Sequence, residues 1–120
     1  MNIGIDIIEI ERIKKIIERN KFFLNKIFCI DEIEQIFLKK NVFESIAARY
    51  CAKESFFKCI GAGIEKMSDF RMIKILNNQN GQPEIFLSGD FKKKYEKLEF
   101  KVSLSHCKKY ACAVVLEKHE

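Results

Sequence analysis

The first residue whose type suggests chemistry is Asp6, which stands in the isoleucine-rich run NIGIDIIEI over residues 2–10. Burying a carboxylate in an apolar strand is unfavourable unless the group is paired or bound to a metal. A metal-ligand role is therefore one interpretation of Asp6. The other is a carboxylate at an exposed sheet edge, or one bonded to a turn.

The second candidate region is the charged segment RYCAKESFFK, residues 49–58. On a helix, Arg49 and Lys53 share one face because they are four residues apart, and Glu54 and Lys58 are paired in the same way. Pairs of opposite charge such as Glu54 and Lys58 are mostly solvent-exposed salt bridges that contribute little to stability. A binding role needs a further feature nearby.

That further feature is the sequence Gly61-Ala62-Gly63, into which the charged helix runs. Glycine allows a ligand to approach the backbone closely, so Gly61 and Gly63 are candidates for ligand binding. Glycine is also a common helix stop, so this signal is weak by itself.

The third candidate is the pair Ser105-His106 at the end of a predicted strand. Such a pair can bind a phosphate, or the imidazole can act as a general base. A hydrogen-bonded turn histidine is the structural alternative. Cys107 and Cys112 follow His106, but their spacing matches no strong zinc pattern and a fourth ligand is missing.

Together these residues predict a site for a hard cation and phosphate groups. One strand carboxylate, Asp6, and one helix carboxylate, Glu54, cannot enclose a metal ion. They can hold Mg²⁺ when water and substrate phosphate oxygens complete the octahedron. The several Lys and Arg side chains and His106 agree with a phosphate-rich ligand at such a site.

The first half of the chain must position these groups with one strand and several helices. Alternation along residues 2–10 puts Gly4, Asp6 and Ile8 on one face. Helical spacing follows over 11–19, with Asn20 as a possible cap of a short second helix. We expect Asp31 to be the N-cap of a third helix, with Glu34 as its capping-box partner. A long helix is predicted over 42–60.

The second half is dominated by β-type runs around the turn that contains Pro83, the only proline. Ser88 or Asp90 can cap a short helix over 90–97. The remaining runs alternate as strands, and they are Phe70–Leu76, Glu84–Leu87, Phe100–Leu104 and Tyr110–Glu117. This order predicts a single α+β domain over residues 1–120, with an antiparallel sheet packed against helices.

Composition excludes several classes of protein. A chain of 120 residues with 48% hydrophobic and 32% charged residues is typical of a packed domain, not a disordered one. Its longest apolar run, Tyr110 to Leu116, is far shorter than the ~20 residues of a membrane helix. We expect a cytoplasmic location, because no signal peptide is recognisable. The five cysteines then should be reduced core residues.

The motifs resemble those of the small bacterial phosphopantetheinyl transferases, the holo-acyl-carrier-protein synthase family. The opening IGIDIIEIERI, residues 3–13, is similar to the family's N-terminus. The segment RYCAKESFFKCIGAGI, residues 49–64, resembles its signature Arg-Phe-x-x-Lys-Glu-Ala-x-x-Lys-x-x-Gly-Thr-Gly. NGQP, residues 80–83, matches the Gly-x-Pro turn, and VSLSH with YACA, residues 102–106 and 110–113, resembles the C-terminal hairpin.

The resemblance implies a phosphopantetheinyl-transferase-like fold whose long helix carries the Lys-Glu…Lys motif. It implies transfer of 4′-phosphopantetheine from coenzyme A to a serine of apo-acyl carrier protein. In that reaction Asp6 and Glu54 would hold Mg²⁺, and Lys58 would contact the diphosphate. The residues expected on the nucleotide side are Arg49, Gly61, Gly63, Ser105 and His106. His106 is also a candidate base, as are Glu54 and a metal-bound water.

This chain departs from the pattern at a few positions. Ile8 stands where larger relatives have a further carboxylate, so a water must fill that metal position. Ser55 and Ala62 replace a common Ala and Thr, and Cys107 stands where Thr is frequent. A backbone contact by residue 107 remains possible, but a hydroxyl contact does not.

The resemblance also implies two kinds of partner. Short members of the family form homotrimers with active sites between subunits, so His106 and Asp6 would serve one site from different chains. The Phe-rich segments are compatible with such an interface, although core packing would use most of them. Acyl carrier proteins are acidic, and the stripe of Arg12, Lys15 and Arg19 would meet them.

Two other classes remain as alternatives. A nucleic-acid-binding module fits the net charge of +5. The basic residues, however, are mixed with acidic ones and form no run interleaved with aromatics. A thiol or zinc protein built on His106, Cys107 and Cys112 is the other. We expect neither nucleic acid nor a membrane as a partner.

Overall fold

The computed structural model describes residues 2–61 and 67–118. One long helix is preceded by a strand and three shorter helices, and it is followed by two β-hairpins with a short helix between them. In chain order these elements are β1 Ile3–Glu9, α1 Ile10–Arg19, α2 Phe23–Ile27, α3 Ile30–Phe37, α4 Val42–Ile60, a 3₁₀ helix Met67–Met72, β2 Ile73–Asn77, β3 Pro83–Leu87, α5 Gly89–Tyr95, β4 Glu99–His106 and β5 Tyr110–Lys118.

The strands form two antiparallel sheets, and α4 packs against the larger one. The three-stranded sheet has the order β1-β5-β4, and β2 pairs with β3 in a separate hairpin. Within the larger sheet Asp6 lies opposite Ala113, which in turn lies opposite Leu104. The predicted α+β class, with an antiparallel sheet packed against helices, is confirmed. Within the described residues, no helix is long and apolar enough to cross a membrane.

The alternation predicted for β1 determines which side chains reach α4. Gly4 and Ile8 are buried beneath the helix, whereas Ile3, Ile5 and Ile7 are exposed on the opposite face. Gly4 permits unusually close contact, because a Cβ at this position would meet the backbone oxygen of Ser55. This close packing places Asp6, two residues later on the same face, beside α4.

Aromatic side chains fill the core around α4. Phe56 contacts Phe91, Tyr95 and Phe100, and Phe57 contacts Phe70. The Phe-rich segments contain seven phenylalanines between residues 22 and 57. Four of them are buried in this core and Phe43 is partly buried; the four are Phe23, Phe28, Phe56 and Phe57. Only Phe22 and Phe37 of that set are exposed.

Four local predictions are wrong. The third helix begins at Ile30, so Cys29 is its N-cap and Glu32 is the acidic partner that accepts the Cys29 N–H at 3.0 Å. Asp31 is instead in the first turn, where it pairs with Lys74 at 2.8 Å. The N-cap therefore lies two residues before the predicted one, because cysteine is an unusual N-cap that the sequence pattern does not indicate.

The other three errors concern two element boundaries and the cysteines. The strand expected from Phe70 begins at Ile73, because Phe70 belongs to the 3₁₀ helix and is buried against α4. The short helix expected over 90–97 spans Gly89–Tyr95. All five cysteines are free, but only Cys51 and Cys59 are buried in the core. Cys29 and Cys112 are partly buried, and Cys107 is exposed in the β4–β5 turn.

Candidate active site

The predicted metal ligand Asp6 lies at the junction of β1 and α4. Its Oδ1 atom is 3.0 Å from the Nζ atom of Lys58 on α4. The Asp6 side chain is 18% exposed and the Lys58 side chain is 55% exposed, so the pair lies at the surface of the junction. This hydrogen bond raises the pKa of Lys58 above its ordinary value, and Lys58 is therefore a cation at neutral pH.

Glu54 lies one helical turn before Lys58 and belongs to the same cluster. Its Oε1 atom accepts a hydrogen bond from the Tyr50 hydroxyl at 2.9 Å. Burial raises the pKa of Tyr50 most, and Glu54 and Asp6 raise it further, while Arg12 opposes them. Both carboxylates therefore act on the pKa of the same hydroxyl, as expected if Asp6 and Glu54 face a common space.

The predicted glycines follow this cluster along the chain. Gly61 ends α4 in the left-handed conformation, with φ of 73°, which a glycine adopts without strain. Gly61 is exposed, and it lies three residues after Lys58 in the sequence. Gly63 lies outside the described residues, as does Ala62.

A second cluster lines a groove of about 1330 Å³ between the start of α4, the β2–β3 hairpin and β4. Arg49 and His106 both line it. The Nδ1 atom of His106 is 3.3 Å from Glu44 Oε2. Because Glu44 contacts Nδ1, Nε2 is the ring nitrogen of His106 that could face a ligand.

Arg49 is held rigidly in this groove. Nη1 donates to Ser45 Oγ at 2.8 Å, and Nη2 donates to Asn77 Oδ1 at 3.2 Å. Gln35 holds Asn77 in turn: its Oε1 atom accepts from the Asn77 N–H, and its Nε2 atom donates to the Asn77 carbonyl. Burial lowers the pKa of Arg49. Its Nε is buried and has no hydrogen-bond partner among the described residues, so the guanidinium retains a donor.

Ser105 does not share this groove. Successive strand residues point to opposite faces of a sheet, so Ser105 lies with Cys112 and Ile7 on the outer face. His106 lies on the face toward α4. The predicted Ser-His pair is therefore divided between two faces within one chain.

The sequence-predicted residues thus fall into two groups. Asp6, Glu54 and Lys58 are together, and Arg49 and His106 are together. Arg49 and Lys58 are nine residues apart on α4, which corresponds to about 13 Å along the axis and to opposite helix faces. A single chain does not join the two groups into one enclosed site.

The basic residues of α1 form a third surface. Arg12, Lys15 and Arg19 are exposed and line a shallow groove of about 420 Å³. Glu9 and Glu11 line its margin, so the surface is basic but not uniformly so.

The donor set at Asp6 and Glu54 fits a magnesium ion better than a zinc ion. Within the described part of the chain there is no cluster of three or more His, Cys, Asp or Glu side chains that could hold a metal. Two hard carboxylates with Lys58 beside them suit a cation whose other ligands are waters and phosphate oxygens. Zinc sites need three or four protein ligands.

Sequence reasoning missed three polar residues of these clusters. Tyr50 bonds Glu54, Glu44 pairs with His106, and Asn77 orients Arg49. The spacing of four residues between Tyr50 and Glu54 was a usable signal. The other two contacts join distant segments, so no local pattern indicates them.

Comparison with known proteins identifies the class. A family model described as the 4′-phosphopantetheinyl transferase superfamily matches residues 2–115. The chain therefore belongs to this superfamily, and the expectation that it is a phosphopantetheinyl transferase is confirmed.

Two relatives show which members of the superfamily this chain is similar to. The chain is 44% identical over 117 residues to a holo-[acyl-carrier-protein] synthase of Chloroherpeton thalassium, covering 97% of this chain and 96% of the relative. It is 43% identical over 118 residues to the enzyme of that name from Ruminiclostridium cellulolyticum, covering 94% and 88% of the two chains.

Solved structures agree with this assignment. The holo-(acyl-carrier-protein) synthase of Bacillus anthracis, determined in complex with coenzyme A, has a TM-score of 0.82 at 31% identity and covers 99% of this chain and 96% of its own. The Helicobacter pylori synthase, also in complex with coenzyme A, has a TM-score of 0.82 at 33% identity and covers 97% and 99%.

Proposed function

We propose that this chain transfers the 4′-phosphopantetheine group of coenzyme A to a serine hydroxyl of apo-acyl carrier protein, with Mg²⁺, in the cytoplasm. The leaving group is adenosine 3′,5′-bisphosphate, and the product supplies fatty acid biosynthesis. The observation that carries the proposal is the cluster of Asp6, Glu54 and Lys58 at the β1–α4 junction. Relatives with this activity in their names cover nearly the whole chain.

Asp6 and Glu54 would hold Mg²⁺, and Lys58 would contact the diphosphate. The ion, when bound, polarises the phosphoryl group and neutralises charge on the leaving bisphosphate. The serine oxygen forms a bond to the phosphorus next to pantetheine, while the bond from that phosphorus to the adenosine side breaks. Glu54 and His106 are the candidate acceptors for the serine proton.

Arg49 and His106 would bind the nucleotide end of coenzyme A. The buried Nε atom of Arg49 has no hydrogen-bond partner among the described residues, and Nε2 of His106 is left for a ligand because Glu44 contacts Nδ1. Both features suit an anionic phosphate. Ser105, Gly61 and Gly63 complete the predicted binding residues.

A homotrimer with active sites between subunits is part of the proposal. The two groups of site residues lie apart in one chain, so a second subunit would be needed to join them. An apolar surface suited to self-association is present on the outer face of β1, where Ile3, Ile5 and Ile7 are 65%, 66% and 65% exposed. These isoleucines, more than the phenylalanines, are the candidates for the interface.

Acyl carrier protein would dock on α1. Arg12, Lys15 and Arg19 form an exposed basic stripe next to the Tyr50–Glu54 cluster, since Arg12 acts on the pKa of Tyr50. An acidic partner would be attracted to this stripe and would encounter the enzyme faster at low salt.

Intact mass spectrometry of apo-acyl carrier protein tests the reaction directly. With this chain, coenzyme A and MgCl₂, we expect the carrier protein to gain one phosphopantetheine group. EDTA, Asp6→Asn and Glu54→Gln should each lower the initial rate by more than about 100-fold, because each removes the metal or one of its ligands.

Glu34→Gln is the matched control, because Glu34 is an exposed carboxylate on α3 outside the cluster. Its rate should equal that of the wild type. Absence of any mass gain with folded protein and several carrier proteins would contradict the proposed reaction. Full activity of both Asp6→Asn and Glu54→Gln would contradict the proposed metal pair.

A further inference from the structure

A tyrosine hydroxyl is bonded to one of the two proposed metal ligands. The Tyr50 Oη atom donates to Glu54 Oε1 at 2.9 Å. The two residues are four positions apart on α4, so the helix itself brings them together. The proposed mechanism does not use this hydroxyl.

The ring of Tyr50 is held independently of its hydroxyl. It stacks on Phe70, with centroids 5.7 Å apart and planes at 11°, and it contacts Phe23 at 6.1 Å. Phe70 and Phe23 are buried core residues. The hydroxyl is therefore presented to Glu54 from a fixed support, and it restricts the rotation of the carboxylate.

A restricted carboxylate has consequences for the metal that it binds. A hydrogen bond to Oε1 favours coordination through the other oxygen alone. Mg²⁺ requires near-octahedral geometry and suits such single-oxygen coordination, whereas Ca²⁺ accepts six to eight oxygens and readily takes both oxygens of a carboxylate.

We infer that Tyr50 is a positioning residue that holds Glu54 in single-oxygen geometry and thereby favours Mg²⁺ over Ca²⁺. The inference rests on the proposed role of Glu54 as a metal ligand. It assigns to Tyr50 an effect on metal selectivity that packing of the ring alone would not produce.

Isothermal titration calorimetry of the full chain with coenzyme A present, using MgCl₂ and then CaCl₂, tests this role. In Tyr50→Phe we expect the Kd for Mg²⁺ to rise about tenfold, as is typical when a partner of a metal ligand is lost. The Kd for Ca²⁺ should change less than about threefold, because Ca²⁺ can use the freed oxygen. The selectivity ratio should therefore fall by about threefold or more.

Tyr110→Phe is the matched control, because Tyr110 lies exposed on β5 and the same atom is removed. It should leave both affinities unchanged. Tyr50→Leu also lacks the hydroxyl and should shift the ratio in the same direction. In the transfer reaction, Tyr50→Phe should raise the Mg²⁺ concentration at half-maximal rate while kcat at saturating Mg²⁺ stays within about twofold.

The outcomes separate the inference from the proposed function. If the wild type binds Mg²⁺, Glu54→Gln abolishes that binding and Tyr50→Phe leaves the ratio unchanged, the inference is overturned while the metal pair stands. An equal loss of both metals in Tyr50→Phe also overturns it. If Glu54→Gln binds Mg²⁺ like the wild type, the proposed pair and the inference both fail.

Discussion

The two lysines of the α4 signature have opposite surroundings. Lys53 is fully buried, and its Nζ atom donates to Ile27 O at 2.8 Å, Glu32 Oε1 at 2.8 Å and Phe70 O at 2.9 Å. Lys58 is mostly exposed, and Asp6 Oδ1 is its hydrogen-bond acceptor at 3.0 Å. Two lysines five residues apart on one helix therefore differ in environment. Lys53 belongs to a buried, fully hydrogen-bonded polar network, which we call the closed network, and Lys58 to an exposed ion pair.

The comparison shows which charged groups are available for a ligand. An ammonium has three donors, and at Lys53 the protein uses all of them. Glu32 is equally engaged, since Oε1 also accepts from the Cys29 N–H and Oε2 from the Ile75 N–H. Lys58 retains donors for a phosphate. The Lys53–Glu32 pair therefore ties α2, α3, the 3₁₀ helix and β2 to α4, whereas Lys58 is the lysine of the proposed site.

The largest effect on stability should come from breaking the closed network. Burial lowers the pKa of Lys53 and the Glu32 carboxylate opposes this shift. Removal of either partner leaves a buried charge uncompensated. We expect Lys53→Met and Glu32→Gln each to lower the free energy of unfolding by about 3–5 kcal/mol, measured by urea denaturation.

The double variant Lys53→Met/Glu32→Met sharpens this prediction. It removes both charges, so its loss should be smaller than the sum of the two single losses. Single losses below about 1 kcal/mol would mean that the pair is not the buried network described above.

The contact between β1 and α4 should give the next largest effect. In Gly4→Ala the new methyl group would meet Ser55 O and would lie 2.6 Å from Cys59 N, both of which are backbone atoms that cannot move away cheaply. We expect a loss of about 1–3 kcal/mol, together with reduced Mg²⁺ affinity because Asp6 moves away from Glu54. Ser103→Ala, which also ends in a methyl group but at an exposed position on β4, is the control. An unchanged midpoint in urea would contradict the close packing.

Periodicity predicted most of the fold because each element has a distinct apolar pattern. The alternation of β1 correctly put Asp6 on the same face as Gly4 and Ile8, a face that the structure packs against α4, and the predicted range of α4, 42–60, was correct. The start of α3 and the 3₁₀ helix at Phe70 were missed. Both features depend on tertiary contacts that a local pattern does not show. Glu32 of α3 pairs with Lys53, and Phe70 of the 3₁₀ helix packs against Phe57.

The site was predictable only in part, because sequence spacing does not show which groups are already paired. Lys53 and Lys58 are the same residue type in one motif, and only their tertiary partners distinguish them. The separation of Ser105 from His106 follows from strand alternation and could have been predicted. The contact of His106 with Glu44 could not, since the two residues are far apart in sequence.

Lys58 should affect the rate of the transfer reaction but hardly the free energy of unfolding. Its ion pair with Asp6 is exposed, so Lys58→Met should change the free energy of unfolding by less than about 1 kcal/mol. The same variant should lower the transfer rate by about 100-fold, because one cationic donor to the phosphoryl group is lost. Lys93→Met, an exposed lysine on α5, should leave both quantities unchanged. A large loss of stability in Lys58→Met would remove the distinction from Lys53.

The smallest effect should come from the half-exposed pair of Asp31 and Lys74, whose atoms are 2.8 Å apart. The hydrogen bond from Lys74 lowers the pKa of Asp31 below its ordinary value of 3.8, so the pair contributes stability above pH 3.8 and loses it as the pH falls through the lowered value. Asp31→Asn keeps an oxygen for the Glu32 N–H and removes the charge. We expect it to lower the free energy of unfolding by about 0.5 kcal/mol at pH 7, a difference that salt should reduce. In urea titrations the wild type and Asp31→Asn should converge at acidic pH well below 3.8. A difference that persists there would show that Asp31 acts through packing and not through its charge.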